Sequence, residues 1–189
     1  MMNRRSLASA MCIALSLSAC ATDPNDPLKD QQYVAVINSL SWNNPLTGKR
    51  DGSRTSWPAK TLQGQDEAFP LAQIRKCDAA GAACSWGVMR AQRSVSRVAY
   101  TAAGVNLDLV LAIDIERRQE VRGADFHTAM AIPADVPALQ YKKELRQSFM
   151  LVYGRVQHIE LDHGLSFDLC ALRYDAAGRA LDVCEIPYI

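Results

Sequence analysis

The sequence of 189 residues lacks the short motifs that mark the commonest catalytic sites. It contains no G-x-S-x-G or S-x-x-K around a serine nucleophile, no H-E-x-x-H for zinc and no glycine-rich phosphate loop. These absences argue against several large enzyme classes. A catalytic triad assembles in space rather than in sequence, so an enzyme stays the alternative.

The chain also has no large excess of positive or negative charge. The chain has 21 basic and 20 acidic residues, whereas a nucleic-acid-binding protein needs a strongly basic face. After the first twenty residues, no apolar run reaches the roughly 20 residues that span a bilayer. Together with the missing motifs, this leads us to expect no nucleic-acid partner, no cofactor and no later transmembrane helix.

The N-terminal segment has the features of a secretory signal. Arg4 and Arg5 precede an apolar run at residues 7–17 that is too short to cross a bilayer. The sequence LSAC at residues 17–20 follows, and it resembles the lipobox of bacterial lipoproteins. The resemblance implies cleavage after residue 19 and a diacylglycerol on the Cys20 thiol. An ordinary secretory signal with a coincidental cysteine is the alternative.

Acylation of Cys20 would anchor the protein stably, because each buried methylene contributes about 0.8 kcal/mol and two or three chains would be attached. In lipoproteins of this class an Asp after the cysteine causes inner-membrane retention. Ala21 stands there instead, which implies the outer membrane, with the protein facing the periplasm. Residues 20–31 then form the lipidated N-terminus and a polar tether, and residues 32–189 form a single β-rich domain.

The cysteine count fits an oxidising compartment. Of six cysteines, Cys12 leaves with the signal peptide and Cys20 carries lipid, so an even number remains. Zinc binding by four thiols is the alternative, which the lack of a C-x-x-C pair disfavours. The spacing favours two disulfides, Cys77–Cys84 and Cys170–Cys184.

The tetrapeptide DAAG occurs inside both cysteine pairs. At residues 175–178 it fits a type I turn followed by a left-handed glycine, with a hairpin loop at residues 176–178. Counting outward from that loop places Cys170 directly opposite Cys184. At residues 78–81 the same count does not make the cysteines direct partners, so a four-residue loop or a looser closure is needed.

Alternation of apolar and polar residues predicts a mainly β fold. The clearest strand covers residues 105–116, where every second residue is apolar. One short helix is predicted at residues 137–147, with Asp135 as its cap. Many short strands with little helix indicate an antiparallel β-sandwich or a partly open barrel. The further strands are predicted at residues 33–40, 68–76, 84–91, 94–102, 124–132, 148–162, 165–174 and 180–187.

A long polar segment at residues 43–66 is predicted to be a loop, and loops of that length are often functional. Trp42 and Trp57 bracket most of it. The two rings could form an aromatic platform for a glycan or a protein partner. The alternative is that both rings anchor the edge of the core.

The histidines are the remaining candidates for chemistry. In a strand, His158, Glu160 and Asp162 would point to one face and could bind a metal ion, although same-face side chains lie roughly 6.5 to 7 Å apart. A solvated strand face is the alternative. His127 lies on another predicted strand, with no adjacent nucleophile in the sequence.

These patterns favour a membrane-anchored envelope lipoprotein whose β domain binds a protein or glycan partner in an assembly, scaffolding or inhibitory role. An envelope hydrolase or metal-binding protein that uses His158, Glu160 and Asp162 is the alternative.

Overall fold

The computed structural model describes residues 33–123 and 125–187. The predicted signal peptide, the acylation site Cys20 and the tether lie outside the described residues. In the described part, no helix is long and apolar enough to cross a membrane.

Antiparallel strands make up most of the described chain. Its helical elements are one turn of α-helix, α1 (Ala59–Leu62), and a 3-10 turn (Asp162–Gly164). The strands, in chain order, are β1 (Tyr33–Asn43), β2 (Arg50–Pro58), β3 (Asp66–Ala68), β4 (Ala72–Cys77), β5 (Cys84–Tyr100), β6 (Gly104–Glu116), β7 (Arg118–Arg122), β8 (His127–Ala131), β9 (Tyr141–Val152), β10 (Gln157–Glu160) and β11 (Ser166–Tyr174).

Two sheets carry the fold. Sheet A has the strand order β10-β11-β1-β2, and sheet B has the order β3-β5-β6-β9, with β4 also paired to β5. The sheets are not closed into a barrel. Strands β7 and β8 form a separate hairpin. The mainly β fold predicted from the sequence is therefore confirmed, with an open arrangement of antiparallel sheets.

The alternation along β6 builds the centre of the core. Its inward side chains pack against Leu40 of β1 and Phe167 of β11 in one apolar cluster. Each large aliphatic side chain buried in this way contributes roughly 1.5 to 3 kcal/mol. This shared core holds the two sheets together. The inward residues of β6, all at most 2% exposed, are Val105, Leu107, Leu109, Leu111, Ile113 and Ile115.

The predicted long loop at residues 43–66 is wrong. Residues 50–58 form β2, which pairs antiparallel with β1 from Ala35 to Asn43. The loop prediction followed the polar composition of this segment. Because β2 is the edge strand of sheet A, one of its faces and one of its edges meet water, and such a strand needs few apolar residues.

The predicted helix at residues 137–147 is also wrong. Residues 141–152 form β9, and every residue of β9 pairs with β6. Leu139 donates its N–H to the carbonyl of Trp86 at 2.7 Å, so the preceding segment is extended as well.

Further strand boundaries differ from the prediction. The strand expected at residues 68–76 is divided into β3 and β4. The strands expected at residues 84–91 and 94–102 form one long strand, β5, with a bulge between Val95 and Arg97. The strand expected at 148–162 is interrupted at residues 153–156, where the chain crosses from sheet B to sheet A.

The structure contains both disulfides that the spacing favours, Cys77–Cys84 and Cys170–Cys184. In the first hairpin, Asp78 donates its N–H to the carbonyl of Ala83 at 2.9 Å. Residues 79–82 therefore form a four-residue loop, in which Gly81 takes a left-handed φ of +72°. This loop places Cys77 directly opposite Cys84.

The C-terminal segment partly follows its prediction. Asp175 donates its N–H to the carbonyl of Arg179 at 2.9 Å, which closes the predicted loop at 176–178. Beyond one bridge between Tyr174 and Ala180, the strand predicted at 180–187 is absent from the described residues 181–187. The disulfide still holds this segment, and Ile186 packs on the outer face of sheet A.

A polar network crosses the interior between the sheets. Arg93 of β5, 1% exposed, donates from Nε and Nη2 to Glu67 Oε2 on β3, at 3.1 and 2.7 Å. The hydroxyl of Thr55 on β2 donates to the same oxygen at 3.2 Å. It accepts in turn from Asn38 Nδ2 and Trp57 Nε1, at 2.9 and 3.2 Å. Strands of both sheets are thus joined through one carboxylate, whose side chain is 11% exposed.

Candidate functional site

The three residues considered for a metal do not converge. His158 and Glu160 lie on β10, whereas Asp162 lies beyond the strand in the 3-10 turn. Asp162 Oδ2 accepts from the Tyr141 hydroxyl at 2.6 Å and from Lys143 Nζ at 3.0 Å. In the described ranges, no three His, Cys, Asp or Glu side chains are placed to hold a metal ion.

His158 has a different partner, which the sequence did not suggest. Its Nδ1 lies 2.6 Å from Oδ1 of Asp168, the residue directly opposite on β11. Asp168 is almost fully buried, and the His158 ring is half exposed. Asp168 ends the sequence GLSFD at 164–168, which resembles a nucleophile elbow only in part and continues as β11. Nothing in that sequence predicts a histidine partner for Asp168.

Arg50, the first residue of β2, bonds to neighbouring polar groups on β1 and before and in β11. Its guanidinium donates to the hydroxyls of Ser41 and Ser166 and, at 2.9 Å, to the carbonyl of Gly164. Asn43 provides a further acceptor at 3.4 Å. All these acceptors are neutral and occupy the five N–H groups of the guanidinium. The cluster therefore stabilises the sheet end and has no free donor to offer an anion.

His163 is held in a left-handed conformation, with φ of 61°. Its ring packs edge-on against Tyr141 at 4.6 Å, and its Nδ1 has no hydrogen-bond partner among the described residues. Burial lowers the pKa of His163, and the nearby Lys76 lowers it further. Asp162 opposes this shift, but the net effect favours the neutral form of the ring. Burial, together with the hydrogen bond to Asp162, raises the pKa of Tyr141.

His127 lies on the exposed hairpin, far in sequence from the other histidines. Its Nε2 is 3.3 Å from Oε2 of Glu120 on β7. That contact and the adjacent Arg122 lower the pKa of Glu120. Across the described part of the chain, no serine hydroxyl is hydrogen-bonded to any histidine ring. The three histidines thus occupy three separate surroundings.

The two tryptophans do not form one exposed face. Trp42 is 6% exposed and belongs to the core. Trp57 packs against the same core, with the guanidinium of Arg93 at 5.9 Å from its ring. In the β1–β2 register, Trp57 lies opposite Val36, six residues from Trp42 and therefore roughly 20 Å away along the strand. The anchoring alternative agrees with this geometry.

An apolar groove lies where three separate segments meet at the surface. It consists of two adjoining cavities, of about 260 and 300 Å³, which share Leu71 and Met130 as lining residues. Trp42 and Leu46 line the first cavity. Phe126 lines the second. No sequence signal identified this groove, because its walls come from residues 42–51, 68–73 and 121–130.

The rim of the groove exposes two large apolar side chains. Leu46 is 76% exposed and Phe126 is 57% exposed. The backbone around Leu46 is ordered, because Asn44 Oδ1 accepts the N–H groups of Leu46 and Thr47 at 2.9 and 3.3 Å. Gly48 N–H closes the turn on the carbonyl of Asn44 at 2.9 Å. Leu46 is thus presented to solvent by a turn with a defined conformation.

One carboxylate lies at the end of the groove. Asp51 lines the first cavity and accepts from Asn44 Nδ2 at 3.2 Å and from the N–H of Gly52 at 2.8 Å. Among the described residues it forms no ion pair with a basic side chain. The groove therefore combines apolar walls with one uncompensated negative charge.

Comparisons with protein-family models, with curated proteins and with solved structures found no match to this chain. The candidate site consequently rests on the geometry alone.

Proposed function

We propose that this protein is an outer-membrane lipoprotein, anchored through Cys20, whose β domain binds an extended segment of an envelope protein in the apolar groove. The observation that carries the proposal is the exposure of Leu46 and Phe126 at the rim of two adjoining cavities. Large exposed apolar side chains that border a cavity are typical of protein-interaction sites.

A protein partner fits the groove better than a glycan does. Sugar rings stack on exposed aromatic faces, and among the described lining residues only Phe126 offers one, since Trp42 and Phe69 are buried. Asp51 instead favours a partner segment in which apolar side chains are followed by Lys or Arg. An apolar anchor would fill a cavity beside Leu71, and the basic group would reach Asp51.

The hydrolase alternative has less support from the geometry. Its candidate residues His158 and Asp162 already bond to Asp168 and to Tyr141 with Lys143, respectively. A general base needs a nucleophile within hydrogen-bond reach, and the polar face around Asp168 provides serines that bond to Arg50 instead.

Site-specific photocrosslinking in intact cells tests the proposal. A photoreactive residue at position 46 should capture one reproducible envelope protein, through a peptide that contains apolar residues beside Lys or Arg. Val183 is a matched control, because it is apolar and 73% exposed but lies in the C-terminal segment. The same residue at position 183 should not capture that peptide.

Binding of the captured peptide to the purified protein then separates the two contacts. Leu46→Asp should weaken binding on the order of a hundredfold, and Asp51→Asn on the order of tenfold with a reduced dependence on salt. Val183→Asp should leave binding unchanged. Identical products from positions 46 and 183, or binding indifferent to both groove variants, would refute the proposal.

A further inference from the structure

The outer edge of β9 is a second interaction surface, separate from the groove. Tyr141 to Val152 form twelve residues of strand that pair with β6 on one side. No strand among the described residues pairs with the other side, because β9 is the last strand of sheet B. The next strand in the chain, β10, belongs to sheet A and has only four residues. A long edge with unpaired backbone groups is a template for another strand.

The edge carries charges of both signs, and on its exposed face Lys142, Glu144 and Arg146 alternate in sign. Arg146 is largely exposed and Glu144 is half exposed, and Arg146 Nε lies 2.5 Å from Glu144 Oε1. Lys142 and Lys143 precede them in sequence. A uniformly charged edge prevents pairing with any second copy, whereas alternating charges permit pairing in a register that brings opposite signs together.

Geometry restricts which registers are available to a second copy. When two identical edges pair antiparallel in one continuous sheet, directly opposite residues lie on the same face of that sheet. Their numbers must therefore differ by an even amount, and a two-fold axis passes through one residue position. Each symmetric register is defined by the residue on that axis.

Charge selects among these registers. An axis at Lys143, Glu144 or Arg146 places that residue opposite its own copy, so like charges meet. An axis at Leu145 places Glu144 opposite Arg146 of the second copy, and Arg146 opposite Glu144 of the second copy. In that register, Leu145 faces Leu145 and Lys143 faces the neutral Gln147. No like charges are opposed between residues 141 and 149.

We propose that two copies of this protein pair through β9, antiparallel and centred on Leu145, to form one continuous sheet across a dimer. Residues 141–149 of each copy form the intermolecular ladder. Two reciprocal Glu144–Arg146 contacts fix its register. The backbone groups of the open edge gain hydrogen-bond partners in this way. The groove stays accessible, because its residues 68–73 lie at the opposite edge of sheet B.

The test measures the association state of the mature acylated protein in detergent by analytical ultracentrifugation. Glu144→Arg places arginines opposite each other, and Arg146→Glu places glutamates opposite each other. Each variant alone should raise the dimer dissociation constant on the order of tenfold or more. Mixing the two variants should restore a heterodimer, because the arginine at 144 of one meets the glutamate at 146 of the other.

The mixing step separates the intermolecular contact from the contact within one chain. Both variants lose their own Glu144–Arg146 pair, and mixing cannot restore it. The double variant Glu144→Arg with Arg146→Glu should also dimerise. Arg90→Glu is the matched control, since Arg90 is half exposed on the interior strand β5, and it should not change the association state. Circular dichroism verifies that every variant is folded.

Several outcomes would overturn the proposal. A monomeric wild-type protein at roughly 100 μM, where weak dimers are populated, is one such outcome. A dimer unaffected by either charge reversal is another, and a mixture that stays monomeric is a third. Capture of a different protein through a photoreactive residue at position 146, with no homodimer, would assign the edge to a heterologous strand instead.

Discussion

Arg93 is the largest fully buried side chain among the described residues. Burial lowers the pKa of its guanidinium, and the Glu67 carboxylate opposes that shift. A buried charge that loses its partner costs far more than the pair itself contributes. The free energy of unfolding should therefore fall strongly when either Arg93 or Glu67 is replaced alone, and weakly when both are replaced by apolar residues.

Glu67→Gln should lower the free energy of unfolding by about 3 kcal/mol, because Arg93 then stays charged and buried without a counter-ion. Urea-induced unfolding with both disulfides intact measures this loss. The matched control is Asp114→Asn, which removes the partner of the half-exposed Arg90 on the same strand. That change should cost less than about 1 kcal/mol.

The double variant Arg93→Met with Glu67→Leu provides the complementary check. It removes both charges, so stability should return most of the way to that of the wild-type protein. Recovery should be incomplete, since the Thr55 hydroxyl loses its acceptor. A double variant as unstable as Glu67→Gln would show that the network stabilises the fold by packing rather than by charge balance.

At the scale of elements, the C-terminal segment is held to β11 by a disulfide and by one ion pair. Asp182 accepts from Arg173 Nη2 and Nε, at 2.7 and 2.9 Å, and from the Arg173 N–H at 3.1 Å. The side-chain hydrogen bond from Arg173 lowers the pKa of Asp182 below its ordinary 3.8, and the backbone bond adds to this. The segment is therefore sensitive to acid.

Asp182→Asn should reduce the free energy of unfolding at pH 7 by roughly 1.5 kcal/mol. Because the pKa of Asp182 is lower in the folded state, its contribution is complete above the unfolded-state value and is lost as the pH falls through the folded-state value. The difference between wild type and variant should therefore shrink progressively as the pH falls below the ordinary carboxyl pKa of 3.8. Urea unfolding at several pH values measures it.

The exposed Asp135 provides the control for that pH series. Asp135→Asn should leave stability unchanged at every pH, since surface substitutions away from specific contacts stay within about 0.5 kcal/mol. A wild-type advantage over Asp182→Asn that persisted unchanged to low pH would contradict the assigned role of the ionised carboxylate.

The strands differ in how well the sequence alone predicts them. β6 was predictable because its alternation continues over twelve residues, which only a strand satisfies. β9 was not, because its apolar residues Tyr141, Leu145 and Phe149 are spaced by four. That spacing fits one face of a helix and one face of a strand equally well. Pairing with β6, a tertiary contact, decides between them.

At the scale of the whole molecule, the sites also divide into those that local sequence predicts and those that depend on tertiary contacts. Spacing indicated both disulfides, and at residues 175–178 the DAAG turn also predicted the register that places Cys170 opposite Cys184. At residues 78–81 the same turn did not predict the register, because the loop has four residues. Neither the His158–Asp168 contact nor the groove had a local signal. Both depend on segments that are distant in sequence, and only the assembled sheets bring them together.

The membrane anchor predicted at Cys20 should favour dimerisation through the β9 edge. Cys20 lies outside the described residues, but the short tether predicted after it would confine every copy to a layer next to the membrane. Confinement raises the effective concentration of a second copy without any new contact. A dimer that is weak in solution should therefore be populated on the membrane.

Two changes test this in a Gram-negative host. Cys20→Ser should abolish incorporation of a labelled acyl chain. Replacing residues 1–20 with a cleavable secretory signal should release the protein into the soluble periplasmic fraction. At equal expression, the fraction crosslinked as a dimer should then fall on the order of tenfold. Glu144→Arg should remove the dimer in both forms. Equal dimer fractions for the anchored and released proteins would show that confinement contributes nothing to pairing through β9.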